Sequence, residues 1–302
     1  MVARTWRQAA LVAALSHPLV AQRPAPPPPP VKRLIVHADD LGMSVSIDKA
    51  AMAAVEAGTV SSVSVMVPAP AFDDAVERIK AHPSLDVGVH LTLTSEWLGV
   101  RWRPILPVQM VPSLVDEQGF FHRTWDATKA NPLEVEQELR AQILTARQAG
   151  LQLTHLDVHQ NVLFTSGHTF AEVLANVATD EGLPVLLAKS GLAGSAQVAS
   201  LLPNPVILES VRTISAAESP GGWARWYDNT LRALPPGVNL LVVHPGYDDE
   251  EMRTMIVGQE AWGAAWRQRE TDVLLSPEFR KQLSERGLIL IGWRSVPPPR
   301  KK

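Results

Sequence analysis

From Val31 onward the chain alternates short apolar runs with stretches of helical period. Residues 33–38 form an apolar run that stops at Asp39-Asp40, as a strand buried on both faces would. Gly42 permits a tight turn, Ser44 or Ser46 can cap a helix carrying Ile47, Ala50, Ala51, Ala54 and Val55, and Gly58 closes it. The unit then recurs. Further strands are predicted over 61–67, 86–91, 153–158, 184–187, 206–208, 239–243 and 288–291, and helices over 72–81, 134–149, 169–181, 223–234, 260–275 and 277–286. Seven or eight parallel strands alternating with helices predict an α/β fold, a (β/α) barrel that is irregular or incomplete, with a doubly wound open sheet as the competing arrangement. Residues 97–125 keep no sustained period and read as a long excursion, the kind of loop that carries function in a compact domain.

The N-terminus has a different character. Arg4 and Arg7 precede a short apolar stretch, and Leu19-Val20-Ala21 ends in a small residue before Gln22, the layout of a secretory signal peptide. The tract from Pro24 to Pro30 follows as an extended spacer. The expected division is a signal peptide at 1–21, a Pro-rich linker at 22–30, one barrel domain at 31–296 and a basic, proline-containing tail at 297–302. An exported protein, periplasmic or extracellular, follows from this pattern; a disordered cytoplasmic leader is the alternative reading. No stretch approaches the ~20 uninterrupted apolar residues that a bilayer-spanning helix needs.

Composition narrows the chemistry. With 302 residues, 46% of them hydrophobic, the chain can bury a large core. A formal charge of -3 and the absence of a basic tract exclude the phosphate-neutralising surface of a nucleic-acid binder. Zero cysteines exclude disulfides, thiolate catalysis and Cys-ligated zinc, so any metal must be held by imidazole nitrogen and carboxylate oxygen. The turn after the first strand is acidic rather than Gly-rich, which argues against a dinucleotide fold.

Position then singles out a set of polar residues. Asp39-Asp40, His90, Asp157-Val158-His159 and His244 each fall at or just past the end of a predicted strand, and in a parallel barrel those ends share one face. One histidine so placed is more often structural; four strands ending this way point to a metal site. Adjacent carboxylates at Asp39 and Asp40 suit a division of labour, one binding a cation and the other handling a proton, although such a pair also caps turns. His155, Asp157 and His159 share a face if the strand reaches that far. They cannot all touch one ion at ~2.1 Å, so some orient a ligand imidazole instead. Asn161 continues the parity as a substrate contact. His244, set before Pro245-Gly246, is either a proton donor to a leaving group or a strand-end histidine bonded to backbone. Trp97, Trp102, Trp125, Trp223, Trp226 and Tyr227 offer flat faces for a sugar ring or cover the core, and Arg101 and Arg103 flank Trp102, where they can meet hydroxyls or an acidic substituent. No Gly-x-Ser-x-Gly elbow supports a serine hydrolase.

In this order the motifs resemble the YdjC-like carbohydrate deacetylases, also described as chitooligosaccharide or hopanoid-biosynthesis deacetylases. The resemblance runs from Arg33 to Trp293. It rests on Ala38-Asp39-Asp40-Leu41-Gly42, Gly58-Thr59-Val60-Ser61-Ser62, Gly88-Val89-His90-Leu91-Thr92-Leu93-Thr94, Thr154-His155-Leu156-Asp157-Val158-His159 and His244-Pro245-Gly246. It implies a divalent-metal-dependent hydrolase that takes an N-acetyl group from an amino sugar or oligosaccharide and releases acetate. Carried over, Asp40, His90 and His159 become the metal ligands, with His155 as the rival for the third place, Asp39 the general base and His244 the general acid. Zinc is the expected ion, and magnesium or another divalent ion the alternative. Gln160, Asn161 and Leu163 stand where the commoner family form has further histidines, and Thr94-Ser95-Glu96-Trp97 with Arg101-Trp102-Arg103-Pro104 marks a divergent branch, so chitobiose is not assumed as substrate. The rivals are a metal-dependent amidase or esterase on another substrate, and a secreted carbohydrate-binding protein without turnover. The expected partner is the acetylated sugar, neither nucleic acid nor bilayer; a homodimer is left open.

Overall fold

Short β-branched runs ending in turn residues, each followed by an amphipathic segment, fold here into repeated strand–helix units. The computed structural model describes residues 31–218, 220–258 and 261–296; the expected signal peptide, proline linker and basic tail lie outside them. In chain order the elements are β1 (Lys32–Leu41), α1 (Val45–Glu56), β2 (Ser62–Val65), α2 (Phe72–Lys80), β3 (Asp86–Leu91), α3 (Pro132–Gln148), β4 (Leu153–Val158), α4 (His168–Glu181), α5 (Ser195–Leu201), β5 (Ser210–Thr213), α6 (Trp223–Ala233), β6 (Gly237–Val243), α7 (Glu250–Met255), α8 (Ala264–Leu275), α9 (Pro277–Glu285) and β7 (Leu288–Leu290).

Every ladder between these strands is parallel, in the order β4-β3-β2-β1-β6-β5. β7 pairs with the lower half of β1, from Lys32↔Leu288 to Leu34↔Leu290, while β2 takes the upper half from His37↔Ser62. The two ends of this sheet are joined by residues 184–190. Leu156 N–H donates to the Pro184 carbonyl and Leu186 N–H to that of Leu156, both at 2.8 Å, while on the other side Leu208 N–H donates to Leu187 O at 2.8 Å and Val211 N–H to Ser190 O at 2.9 Å. The sheet therefore closes into an irregular (β/α) barrel.

The irregular stretch is where the sequence misled. Residues 184–187 and 206–208 were expected as strands; they make only single bridges, Leu156↔Val185 and Ala188↔Leu208, and the ladder strand is β5, a few residues later. Pro184, Pro203 and Pro205 carry no N–H for a ladder, and Ser210 and Arg212 interrupt the apolar signal of the true strand. Ser210 is tolerated because its hydroxyl donates to Asn239 Oδ1 at 2.8 Å. The short helices α5 and α7 were not expected, and α8 begins at Ala264, after Trp262 takes a positive φ of 61°.

Inside the barrel, polar and apolar residues occupy different levels. His37, Ser62, Ser64, His90 and Asp157 form one buried polar network near the strand ends, whereas Ile35, Leu186, Leu208, Val211, Leu240 and Trp293 form an apolar cluster of their own. His155 lies under the polar network. It stacks on Trp293 with ring centroids 4.7 Å apart, meets the edge of His37 at 4.9 Å, and is fully buried. Gly88 stands opposite it in register, and a Cβ there would fall 2.4 Å from His155 Nε2.

The β1–α1 turn is held from below. Gly42, at φ 88°, lets the chain pass against the Met66 carbonyl, and its N–H donates to Asp48 Oδ1 at 2.7 Å. Burial, opposed by the Gly42 N–H and reinforced by Asp74, pushes the Asp48 carboxyl up to about 8.

Two outcomes test this frame. Gly88→Ala overpacks a site that cannot relax and costs about 1–3 kcal/mol of stability; thermal unfolding measures it, and in a His155→Ala background the same substitution is close to neutral. For Asp48, the unfolded chain releases the proton near pH 4 and the folded chain near pH 8. Folding therefore retains an extra proton between those values, and wild-type stability falls as pH rises through the window, at about 1.4 kcal/mol per unit of pKa difference at most. Asp48→Asn keeps an acceptor for Gly42 and lacks the titration. Denaturant unfolding at pH 5 and pH 8 should show the variant gaining on the wild type as pH rises; a constant gap would refute the assignment.

Candidate metal centre and active site

Strand alternation sends β1 residues His37 and Asp39 inward and would send Asp40 outward. The structure does otherwise. The β1–β2 register shifts between Ala38 and Leu41, and Asp40 takes a φ of 69°, a left-handed conformation that is uncommon outside glycine. The irregularity turns Asp40 inward beside Asp39, as such bulges do when they re-aim a side chain. Both carboxylates then line the same cavity.

Around Asp40 the atoms converge. Asp40 Oδ1 lies 3.5 Å from both His90 Nε2 and His159 Nδ1, and those two nitrogens are 3.2 Å apart. Each imidazole is pinned from its far side by a carboxylate: His90 Nδ1 to Asp157 Oδ1 at 3.0 Å, and His159 Nε2 to Glu96 Oε1 at 2.9 Å. Those hydrogen bonds take up Nδ1 of His90 and Nε2 of His159 and leave the other nitrogen of each ring facing Asp40, where it holds either a proton or a cation. Once their inner protons are given up, the two nitrogens and the anionic oxygen are three electron-pair donors close enough to share one cation. The donor set, imidazole and carboxylate only, fits a divalent ion such as zinc.

Electrostatics run the same way. Burial alone would raise Asp40, but the charge of Arg267 and the hydrogen-bonding histidines hold it well below the usual carboxylate range. Burial would lower His90 and His159, yet Asp157 and Asp39 carry the first well above its ordinary value, and Glu96 and Asp40 carry the second to about 9. The carboxylates that raise proton affinity here also favour a metal cation. Arg267, on α8, donates through Nη2 to Asp40 Oδ2 at 2.7 Å and leaves Oδ1 for the cluster.

Beside this cluster stand Asp39 and His244. Asp39 Oδ2 is 3.7 Å from His244 Nε2. His37 Nε2 is 3.2 Å from Asp39 Oδ1 but directs its hydrogen bond to Asp157 Oδ2 at 2.8 Å, so Asp39 Oδ1 has no donor. Burial pushes the His244 imidazole down to about 4 against the pull of Asp39 and Asp40, and its Nδ1 has no partner. Glu270, itself pushed up to about 7 by burial, accepts from the His244 backbone N–H and from Tyr227, while Thr271 accepts from Gly246 N–H at 2.9 Å. Helix α8 thus braces the His244 loop and Asp40 together.

The cavity holds about 360 Å³ and is lined by Asp39, Asp40, His90, Asp157, His159, His244, Asn161 and Trp97 among the residues expected from the sequence. Others are placed elsewhere. His155 does not reach it: the ring lies one layer below, its Nδ1 beside Thr154 Oγ1, and burial with the nearby His37 charge keeps it neutral. Arg101 and Trp102, expected as substrate contacts, hold the long loop instead. Arg101 pairs with Asp116 at 2.9 Å, and Trp102 is buried with Nε1 donating to Thr94 O at 2.8 Å. Trp125, Trp223, Trp226 and Tyr227 are likewise not in the lining, whereas Trp262 is. Glu96, Arg267, Glu270 and Trp262 were given no role from sequence. Arg267 and Glu270 share helix α8 with ordinary surface charges, and nothing local separates them from those.

Among proteins of known sequence, the chain matches the YdjC-like protein family over residues 33–285. It is 30% identical over 280 residues to a carbohydrate deacetylase of Enterococcus faecalis, covering 88% of this chain and 98% of that one. It is 34% identical over 280 residues to a carbohydrate deacetylase of Thermus thermophilus, covering 87% and 93%. In three dimensions it resembles the crystal structure of a proposed cellobiose-phosphate cleavage protein from Enterococcus faecalis V583, with a TM-score of 0.73 at 29% identity, covering 88% of this chain and 98% of that one. With the family match spanning most of its length, this chain belongs to the YdjC-like family.

Proposed function

We propose that this chain is a divalent-metal-dependent hydrolase that removes an N-acetyl group from an amino sugar or oligosaccharide. One observation carries the reading: Asp40 Oδ1, His90 Nε2 and His159 Nδ1 converge within 3.5 Å of one another, beside an Asp39 carboxylate whose Oδ1 lacks a donor. The relatives named carbohydrate deacetylase support it. Asp40, His90 and His159 hold the ion, and His155 is not a ligand because its ring is sealed against Gly88 and Trp293.

A divalent ion bound there supplies Lewis-acid polarisation of the acetamide carbonyl and lowers the pKa of water. Asp39, which lines the cavity, takes the proton of the attacking water. His244, neutral at pH 7 and 3.7 Å from Asp39, relays that proton to the departing amine, so that the C–N bond breaks to give acetate and a free amino sugar. Buried Arg267 lines the same cavity and places its positive charge beside the Asp40 carboxylate. Trp97 and Trp262 present indole to the sugar. Together with the N-terminal charge and apolar pattern, we propose export from the cytoplasm.

Three measurements test this. Acetate release from N-acetylated mono- and oligosaccharides should vanish on metal stripping and return with zinc, magnesium, manganese or cobalt; metal-independent release would refute it. Asp39→Asn should lower kcat by about 10²–10⁴ while calorimetry shows the ion still binding within a few-fold. Glu96→Gln or Asp157→Asn should weaken metal affinity by about 10–100-fold, because each replaces the anionic acceptor behind a ligand imidazole with a neutral amide and lowers that ring's basicity.

A further inference from the structure

The cavity continues below the level of the reacting groups on one side of the barrel. Parallel register sets the depth. Asp39 lies two residues above His37, which pairs with Val242, and Val242 pairs with Thr213. Val211, two residues lower on β5, also lines the cavity, so the space descends roughly 6–7 Å from Thr213 along the strands. Its walls are Leu186, Leu192, Val211 and Val242, and Thr213 at the rim supplies the only side-chain hydroxyl among them. Val242 points inward beside His37 yet is only partly buried, while Leu240 below it is fully buried with Ile35 and closes the floor.

A sugar does not suit this shaft. Each hydroxyl placed there loses water and gains no partner, whereas alkyl groups gain by leaving water. The part of an N-acyl amino sugar that is alkyl and directly attached to the reacting carbonyl is the acyl tail. An acetyl methyl fills only the top of the shaft; with carbon–carbon bonds of about 1.5 Å, its depth takes roughly four to five further carbons.

We propose that the shaft walled by Leu186, Leu192, Val211 and Val242 is an acyl-chain pocket, and that the preferred substrate carries an N-acyl group longer than acetyl. The proposal rests on the hydrolase reading above and deepens it. The same bonds break and form: water adds to the acyl carbon, the C–N bond breaks, and the products are a short-chain carboxylate and a free amine.

The test uses the full chain loaded with its metal. Free-amine release is followed from N-acetyl-, N-butyryl- and N-hexanoylglucosamine. Each methylene buried adds about fourfold, so kcat/KM should rise at least tenfold from acetyl to butyryl; a fall from acetyl to butyryl overturns the pocket. Val211→Phe, or Leu192→Trp on the loop should the first not fold, should move the optimum back to the shorter chain. Retention of the wild-type preference in a folded variant also overturns it. If no glucosamide is cleaved, the hydrolase reading fails on its own. The pocket is then judged by calorimetry with acetate, butyrate and hexanoate. Affinity that climbs with chain length and is lost in Leu192→Trp upholds the pocket, and affinity indifferent to length overturns it.

Discussion

Everything at the mouth of this barrel depends on three donor atoms, one carboxylate oxygen and two imidazole nitrogens, packed so closely that positive charge must lie among them. Asp157 and Glu96 each hold the outer side of an imidazole, which sets the inner nitrogens of His90 and His159 3.2 Å apart and facing Asp40. In a low-dielectric interior such an arrangement is costly without positive charge. The hydrogen bonds that create the conflict also enforce the geometry, because each ring is clamped by its outer partner. Protons or a cation resolve it, and the three groups stand close enough to hold a metal ion.

That clamp has to be built from the strands outward. Asp157 serves two histidines, His90 through Oδ1 and His37 through Oδ2, and His37 is in turn held by Ser62. Below it the neutral His155 is packed between Trp293 and His37, with Gly88 giving it room. From the other side α8 delivers Arg267 to Asp40, Glu270 to the His244 backbone and Thr271 to Gly246. Packing one helix against the barrel thus positions Asp40 and the His244 loop in a single step.

Much of this could be read from the chain, and what could not has identifiable causes. Runs such as 33–38 and 153–158 end in charged groups, and since every barrel strand ends on one face, the order of the residues already gathered Asp39, Asp40, His90, Asp157, His159 and His244. Strands near prolines were misplaced, because residues 184–187 and 206–208 look apolar yet sit against Pro184, Pro203 and Pro205, which carry no N–H, and make only single bridges. Arg101 and Trp102 looked like substrate contacts because a loop hides whether its side chains turn in or out; Asp116 and the Thr94 carbonyl claim them. Arg267 was invisible for the opposite reason: its partner Asp40 is 227 positions away, and helical period gives no hint of a contact across the barrel.

The pair at 39–40 shows how two identical side chains acquire different work. In a regular strand they would face opposite ways, and one would be lost to the helical layer. The bulge and the positive φ of Asp40 bring both inside, at a local conformational cost that the surrounding contacts must sustain. Arg267 takes one oxygen of Asp40 and fixes the other toward the imidazoles, which makes it a rigid anionic donor. Asp39 is passed over by its neighbours: His37 gives its proton to Asp157, and His244 stands 3.7 Å off. A carboxylate fixed by guanidinium suits an ion, and one left without donors suits a water molecule. Strand irregularity and one helix thus give the two carboxylates different surroundings, a difference that adjacency in the sequence left undecided.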